Sequence, residues 1–207
     1  MYKYSENAKQ NEDTNIQSVA QSCMEQSEYN KNDTILISDS NADIIGIVEK
    51  GSVYLKCLDG SGNTSILDFY NKGDIFGTLF FPDDPVNLYY FSAKTSCKIN
   101  KIDFRVSELN TETEKYINKK VREEIKRKQI HIEILSQRTI RNKLLTLFGY
   151  FSDDSGRVRL PMSLSDISEY ISVNRSAMMR EIKNMHNDKL IYNNKKEIHL
   201  INKQTML

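Results

Sequence analysis

The sequence predicts an α+β fold in which a roll of short strands is followed by a long helix and then by a compact region of short helices. Three observations lead to this prediction. Residues 34–104 contain seven short β-rich runs separated by turn residues, and residues 112–137 contain no glycine or proline. Residues 163–185 carry two short helical patterns with little between them. With 39% hydrophobic and 28% charged residues, the composition is that of an ordinary folded protein.

The first 32 residues are polar, and we interpret them as a loose leader with one short amphipathic helix. The apolar residues at helical spacing are Ile16, Val19, Ala20, Cys23 and Met24. This segment lacks the apolar core of a signal peptide, and no run approaches the roughly 18 apolar residues of a membrane span. We therefore expect a cytoplasmic protein without a membrane partner. The three cysteines form no CxxC pair and are expected to be reduced thiols.

The β-rich runs are as short as the strands of a compact β-roll or barrel. Their aromatic residues either line a pocket for a small molecule or pack as the core of the roll. They are Phe76, Phe80, Phe81, Tyr89, Tyr90 and Phe91. All three histidines lie outside this region, so a metal-dependent enzyme of the cupin type would lack ligands. Because the chain also has no nucleophile–base motif and no phosphate-cradling glycine loop, we expect neither enzyme activity nor a cofactor.

The glycine-free segment from Glu112 to Gln137 predicts one long helix. A stripe of residues within it alternates by four and three positions, which is the heptad spacing of a coiled-coil seam. The stripe consists of Val121, Ile125, Lys128, Ile132 and Leu135. On this pattern alone, the stripe packs either against the chain's own roll or against a second copy of the chain. Either Ser136 or Thr139 can cap the helix that follows, TIRNKLLTLFGYF.

The segment from Ser163 to Met185 is typical of a helix, a turn and a second helix. Ser163 and Asp166 have the spacing of a capping box, and Asn174 can cap the second helix. The buried stripe of the second helix is predicted to be Met178, Ile182 and Met185. The opposite face carries Arg175, Ser176, Met179, Arg180 and Lys183. Residues 139–207 hold 11 Lys and Arg against 7 Asp and Glu, an excess that suits a phosphate-binding surface.

These residues resemble the DNA-binding domain of the Crp–Fnr family, which includes the cyclic AMP receptor protein. LPMSLSDIS at residues 160–168 resembles the opening of the family's first helix, and NRSAMMR at residues 174–180 resembles the start of its recognition helix. Ser172 stands at the turn, where glycine is common, and Ser176 replaces the usual acidic residue. The resemblance implies that Arg175 and Arg180 read bases. The full set of implied DNA contacts is Asn174, Arg175, Ser176, Met179, Arg180 and Lys183, with Lys195 and Lys196 at the tip of a two-stranded wing.

The β region resembles the family's cyclic-nucleotide-binding-like domain. IVEKGSVYL at residues 47–55 resembles its characteristic hairpin with Gly51 at the turn, and NKGDIFGTLF at residues 71–80 resembles the approach to its phosphate-binding cassette. Where the family has glycine–glutamate–leucine followed by arginine–serine, this chain has Gly77-Thr78-Leu79 and Asn87-Leu88. Without a carboxylate for the ribose and a guanidinium for the phosphate, we expect no response to cyclic AMP.

The resemblance also implies a homodimer joined through the long helix. It divides the chain into a β-roll sensor domain (1–110), a dimerisation helix with a hinge (111–138) and a winged helix-turn-helix domain (139–207). The implied partners are double-stranded DNA, a second copy and RNA polymerase, together with an effector whose identity and existence stay open. The candidate effector contacts are Gly77, Thr78, Leu79, Tyr89, Tyr90, Lys128 and Gln129. Two alternatives stay open: an effector-independent regulator, and a protein-interaction module that uses its DNA-binding domain as an anchor.

Overall fold

The structure is a computed structural model that describes residues 25–38, 43–81, 86–103, 111–194 and 197–201. The predicted leader helix, residues 16–24, lies outside these ranges. The described residues form two compact units, one that ends at Glu124 and one that begins at Ile125. None of the helices found in these ranges is both long enough and apolar enough to cross a membrane.

The first unit is a β-roll of two antiparallel sheets, and each predicted run contains one of its strands. The strands are β1 (Glu25–Tyr29), β2 (Thr34–Ile37), β3 (Ile44–Lys50), β4 (Ser52–Leu58), β5 (Thr64–Asn71), β6 (Ile75–Gly77), β7 (Leu88–Ala93) and β8 (Cys97–Asp103). One sheet has the order β1-β8-β3-β6, and the other has the order β2-β7-β4-β5. The mixed composition of strands and helices agrees with the predicted fold class, and the β-roll is confirmed.

The aromatic residues fill the inside of the roll. Phe76 and Phe91 are fully buried, and their ring centroids are 4.8 Å apart. Tyr70 packs edge-on to Phe91 at 5.6 Å, and Phe81 lies 5.1 Å from the same ring. Gly46 makes room for Phe76, because a Cβ atom at this position would lie 2.5 Å from the phenylalanine ring. At these positions the aromatic residues therefore serve as core packing.

The predicted hairpin at Gly51 is wrong in one respect, because the two strands that flank it belong to different sheets. β3 pairs with β6 and β8, whereas β4 pairs with β5 and β7. Gly51 has a φ of 87°, and a Cβ atom there would lie 2.4 Å from the carbonyl oxygen of Ser96. Only glycine fits this bend without strain, and the bend carries the chain from one sheet to the other.

The interpretation of residues 1–32 as leader and helix also needs correction, because Glu25–Tyr29 forms β1. This strand pairs along its whole length with β8, from Glu25 opposite Lys101 to Tyr29 opposite Cys97. Gln26 adds side-chain hydrogen bonds to Glu49 at 2.7 Å and to Asn100 at 3.0 Å. The polar segment EQSEY has no strong β propensity of its own. It forms a strand because it pairs with residues that are distant in the sequence.

Helix α1 (Thr111–Ser136) matches the predicted long helix within one residue at each end. Its first half packs on the roll through Tyr116 and Ile117, which join a core cluster with residues of both β3 and β8. The hydroxyl of Tyr116 donates a hydrogen bond to the carbonyl of Gly73 at 3.0 Å. Further along, the carboxylate of Glu124 accepts one from the hydroxyl of Tyr70, also at 3.0 Å. These bonds fix the first half of the helix to the β-roll.

The second unit begins with the rest of α1 and continues as short helices around a small sheet. Its other elements are α2 (Ile140–Tyr150), β9 (Arg157–Val158), α3 (Leu164–Tyr170), α4 (Arg175–Asn187), β10 (Ile191–Asn194) and β11 (Glu197–Leu200). The sheet has the order β10-β11-β9. Thr139, not Ser136, caps α2, since its side chain accepts a hydrogen bond from the backbone N–H of Asn142.

The C-terminal half of α1 is tied to the helices that follow it. The ring of His131 stacks on Tyr170 with 3.8 Å between centroids, and its Nε2 donates to the carbonyl of the same tyrosine at 2.8 Å. The hydroxyl of Tyr150 donates to Glu133 at 2.5 Å. This carboxylate raises the pKa of Tyr150 to about 12, because the hydrogen bond and the negative charge both oppose formation of a phenolate.

Candidate nucleic-acid interface

The first helix of the interface, α3, begins at a side-chain cap. The backbone N–H of Asp166 donates to the hydroxyl oxygen of Ser163, and that hydroxyl donates in turn to the carboxylate of Asp166 at 2.7 Å. The cap sets the start of α3 and satisfies a backbone group that has no partner within the helix. Ile167 and Tyr170 are buried on the opposite side. The predicted capping pair is therefore confirmed.

A short turn at Ser172 links α3 to the second helix. Ser172 has a φ of 53°, in the left-handed region that residues with a side chain seldom occupy. Two backbone hydrogen bonds hold it there, from Ser172 N–H to the carbonyl of Glu169 at 3.1 Å and from Val173 N–H to the carbonyl of Ser168 at 2.9 Å. This backbone shape explains why glycine would also suit the position.

Asn174 caps the second helix, α4, as the sequence predicts. Its side-chain oxygen accepts hydrogen bonds from the N–H groups of Ser176 at 3.0 Å and of Ala177 at 3.1 Å. The predicted buried stripe is confirmed, because Met178, Ile182 and Met185 are almost wholly inaccessible to solvent. The cap and the buried stripe together fix both where α4 starts and which face turns outward.

The outward face of α4 is open to solvent. It presents Arg175, Ser176, Met179, Arg180 and Lys183, all of which are exposed. Within the described part of the unit, nothing of the protein's own body covers this face. Three of the five side chains, those of Arg175, Arg180 and Lys183, carry a positive charge. The face can therefore attract and hydrogen-bond a polyanion.

The acidic residues near this face are paired with Arg141 of α2. Its guanidinium donates to Glu181 at 2.5 Å and forms an ion pair with Asp188 at 2.8 Å. The hydrogen bond that Arg141 donates to the carboxylate of Glu181 raises the pKa of Arg141 above its ordinary value. The positive charge of Arg141 offsets these carboxylates, so they oppose an approaching phosphate less. Sequence reasoning missed Arg141, because 40 residues separate it from Glu181 and no local pattern joins them.

The wing follows α4 as the hairpin of β10 and β11. The N–H of Asn193 donates to Nδ1 of His186 at 3.2 Å, which joins the wing to the last turn of α4. Arg157 of β9 forms an ion pair with Glu197 across the small sheet. The wing-tip residues Lys195 and Lys196 lie outside the described residues, so their contacts with phosphate stay a prediction.

The candidate effector contacts are divided between the two units. Gly77 is buried, and a Cβ atom there would lie 2.1 Å from the carbonyl oxygen of Ile44. The hydroxyl of Thr78 accepts a hydrogen bond from the N–H of Ile44 at 3.0 Å, so it already has a partner within the roll. The backbone of Leu79 forms part of a 3-10 turn with Thr78 and Phe80.

The remaining effector candidates lie on β7 and on α1. Tyr89 and Tyr90 are half-buried on β7, and Tyr89 stands opposite Cys57 of β4. Burial is the main reason that the pKa of Tyr89 is raised, and Cys57 adds to the effect. Lys128 is half-buried and Gln129 is exposed, both on the part of α1 that belongs to the second unit. That these four residues contact an effector stays a prediction.

Comparison with known proteins gives one family match and many structural matches. Residues 26–106 match the cyclic nucleotide-binding domain family. Among solved structures, FixK2 from Bradyrhizobium japonicum is 20% identical, with a TM-score of 0.65 over 89% of this chain and 96% of its own. A cyclic nucleotide-binding domain containing protein from Listeria monocytogenes is 14% identical, with a TM-score of 0.72 over 94% of this chain and 99% of its own. No curated protein sequence matches the chain significantly.

A third structural match carries a description of function in its name. TTHB099 from Thermus thermophilus, a transcriptional regulator of the CRP family, is 18% identical, with a TM-score of 0.61 over 87% of this chain and 94% of its own. At these identities the matches show a shared fold, which extends over both units. The resemblance to the Crp–Fnr family is thus confirmed in two respects. Residues 26–106 match the cyclic nucleotide-binding domain family, and the chain shares its fold with solved regulators of the CRP family.

Proposed function

We propose that this protein is a homodimeric, sequence-specific transcriptional regulator of the Crp–Fnr type that does not respond to cyclic AMP. The single observation that carries the proposal is the open basic face of α4. A capped helix that exposes two arginines near its N-terminus suits insertion into the major groove of DNA. In this proposal the protein acts in the cytoplasm and contacts RNA polymerase at promoters.

The proposal gives different roles in DNA binding to the side chains of α4 and to those of the wing tip. Arg175 and Arg180 each have the planar fork of donors that fits the O6 and N7 atoms of guanine. Ser176, Met179 and Lys183 adjust the choice of sequence from the same face. Lys195 and Lys196 hold phosphates at the wing tip, which positions the protein without reading bases. In this arrangement the winged domain comprises residues 139–207.

The dimer is the second part of the proposal, and the exposed stripe of α1 supports it. Ile125 and Ile132 expose 54% and 66% of their surface, and Leu135 is exposed beside them. Their spacing of seven and three residues is that of the apolar seam of a two-stranded coiled coil. A second copy of α1 would cover this stripe. Two copies would also carry two recognition helices, as half-sites about one helical turn apart require.

The filled β-roll favours a second candidate, an effector-independent regulator. Phe76 and Phe91 occupy the inside of the roll, and the hydroxyl of Thr78 is bonded to the backbone of Ile44. A domain of residues 1–110 that needs no ligand to complete its packing would serve as a scaffold for the dimerisation segment 111–138. If an effector exists, it acts by binding one of two arrangements of the protein more tightly than the other.

The experiment that tests the proposal separates base reading from phosphate binding. We expect Arg180→Ala to weaken binding to the preferred duplex by about 1–3 kcal/mol and to relax the preference at one base pair. Arg180→Lys, the matched control, keeps the charge and loses the fork, so it should lose the same preference while keeping affinity for random duplex.

Lys196→Ala provides the opposite case. It should weaken all sequences alike and reduce the salt dependence of binding by about one phosphate contact. Fluorescence anisotropy on a selected duplex and on a scrambled one, at several salt concentrations, measures both effects. Equal losses from Arg180→Ala on the two duplexes would contradict the assignment of base reading to α4.

A further inference from the structure

Met179 is the apolar exception on the open face of α4. The structure describes four methionines, and three of them, Met162, Met178 and Met185, are buried. Met179 leaves 38% of its surface exposed. The buried stripe already anchors α4, so the outward part of this side chain does not serve the packing of the helix. Its flexible thioether is therefore available to contact a bound molecule.

The position of Met179 places it among the residues that face a ligand. It follows Arg175 by one helical turn, precedes Lys183 by one turn and adjoins Arg180. All three neighbours are exposed cations. If α4 lies in the major groove, as the proposed function has it, the side chain of Met179 approaches base edges between those that the two arginines reach.

The chemistry of methionine selects what it can recognise in the groove. It has no N–H or O–H donor, and its sulfur is only a weak acceptor. The base edges in the major groove are polar with one exception, the 5-methyl group of thymine. We propose that Met179 packs against this methyl group and so selects an A·T pair within each half-site. The inference rests on the proposed function and deepens it by naming the base that the apolar residue reads.

The test removes one methyl group at a time. A preferred duplex is first selected from random sequences with the wild-type protein. Each thymine is then replaced in both half-sites by deoxyuridine, which differs only in lacking the methyl group. For wild type we expect one symmetric pair of positions at which this replacement weakens binding about four-fold per half-site, as for one buried methyl-sized group.

Three variants assign the effect to its residue. Met179→Ala should bind the thymine and deoxyuridine duplexes equally, whereas Met179→Leu should keep the difference because it keeps an apolar side chain. Lys183→Ala should weaken both duplexes and leave their ratio unchanged. Circular dichroism and thermal unfolding show whether the variants are folded, and the exposure of Met179 predicts that they are.

The outcomes distinguish this inference from the proposed function. A thymine-to-deoxyuridine difference that disappears in Met179→Ala supports it. A preferred duplex with no such difference, or with one that survives in Met179→Ala, overturns the inference and leaves the regulator intact. A selection that returns no preferred sequence would overturn both.

Discussion

The two faces of helix α1 are partly reversed relative to those of an ordinary surface helix. Beside the apolar Tyr116, Ile117 and Ile134, the face that packs on the protein's own body buries several polar side chains. They include Lys120, Glu124 and His131. The face turned to solvent exposes the apolar side chains of Ile125 and Ile132. A surface helix normally buries its apolar stripe and exposes its polar one. The reversal indicates that the outer face is suited to a partner and that the inner face is held by specific bonds.

The polar residues of the inner face are well provided with partners. Glu124 accepts a hydrogen bond from Tyr70, and His131 donates one to the backbone of Tyr170. Lys120 forms an ion pair with Glu123 at 3.2 Å and lies over the ring of Tyr116. A buried polar group that is satisfied in this way fixes one geometry, because any other would leave it without its bonds. The hydrogen bonds of the inner face therefore fix the position of α1, and the exposed apolar side chains of the outer face favour association with a partner.

The largest expected effect comes from a charge placed on the outer face. Ile132→Asp should convert the proposed dimer to a monomer, because each copy would bring a carboxylate into the apolar seam. Loss of the second recognition helix should then lower operator affinity by roughly 100-fold or more. Light scattering after size exclusion measures the first effect, and fluorescence anisotropy the second.

Gln129→Asp is the control for this change, since it adds the same charge at an exposed position of the same helix outside the stripe. It should stay dimeric. If Ile132→Asp also remained a dimer at micromolar concentration, the outer face of α1 would not be the interface.

A smaller effect should follow from loosening the inner face. Tyr70→Phe removes the hydroxyl that donates to the buried carboxylate of Glu124 and should lower the free energy of unfolding by about 1–3 kcal/mol. The variant should remain a dimer, because the outer face is unchanged. Denaturant unfolding gives the energy, and Tyr192→Phe, a change on the exposed wing, should leave it unaltered. Equal stability of Tyr70→Phe and wild type would contradict a role for this bond.

The smallest effect concerns Tyr150, whose pKa is raised to about 12 by Glu133 of α1. Because the folded pKa lies above the unfolded value of 10, this bond contributes fully below pH 10, and its contribution is lost as pH rises toward 12. Wild type should therefore lose stability across this window more steeply than Tyr150→Phe. Ultraviolet titration should show one tyrosine that ionises at a higher pH than the others. In Glu133→Gln the pKa of this tyrosine should fall toward the ordinary value. An unchanged titration in Glu133→Gln would exclude the carboxylate as the cause.

The sequence predicts the locally encoded parts of the fold well. Helix α1 and the caps at Ser163 and Asn174 were predictable because spacing and capping act over a few residues, whereas the sequence left Thr139 and Ser136 as alternatives for the cap of α2. Strand β1 and the change of sheet at Gly51 were not, since they depend on which distant strands pair. The inner face of α1 was missed for a related reason. Several of its buried residues are polar, and a hydrophobic pattern cannot detect positions whose burial depends on hydrogen bonds.

Only part of the candidate interface was likewise predictable from the sequence. The outward face of α4 follows from helical periodicity together with the family motif, and the structure leaves that face exposed as predicted. The role of Arg141 could not be predicted, because its pairing with Glu181 and Asp188 requires α2 and α4 to be packed first. The effector positions suggested by the motif around Gly77 remain predictions.

Under the proposed function, the backbone of Ser172 would allow the stability of the DNA-binding unit to be changed without changing the side chains that contact DNA. A residue with a Cβ atom in the left-handed region costs about 1–2 kcal/mol relative to glycine, and this cost falls on the turn rather than on α4. A change of this single residue could raise or lower the thermal stability of the unit while every side chain proposed to contact DNA stayed the same. Heat resistance and operator choice can in this way evolve separately.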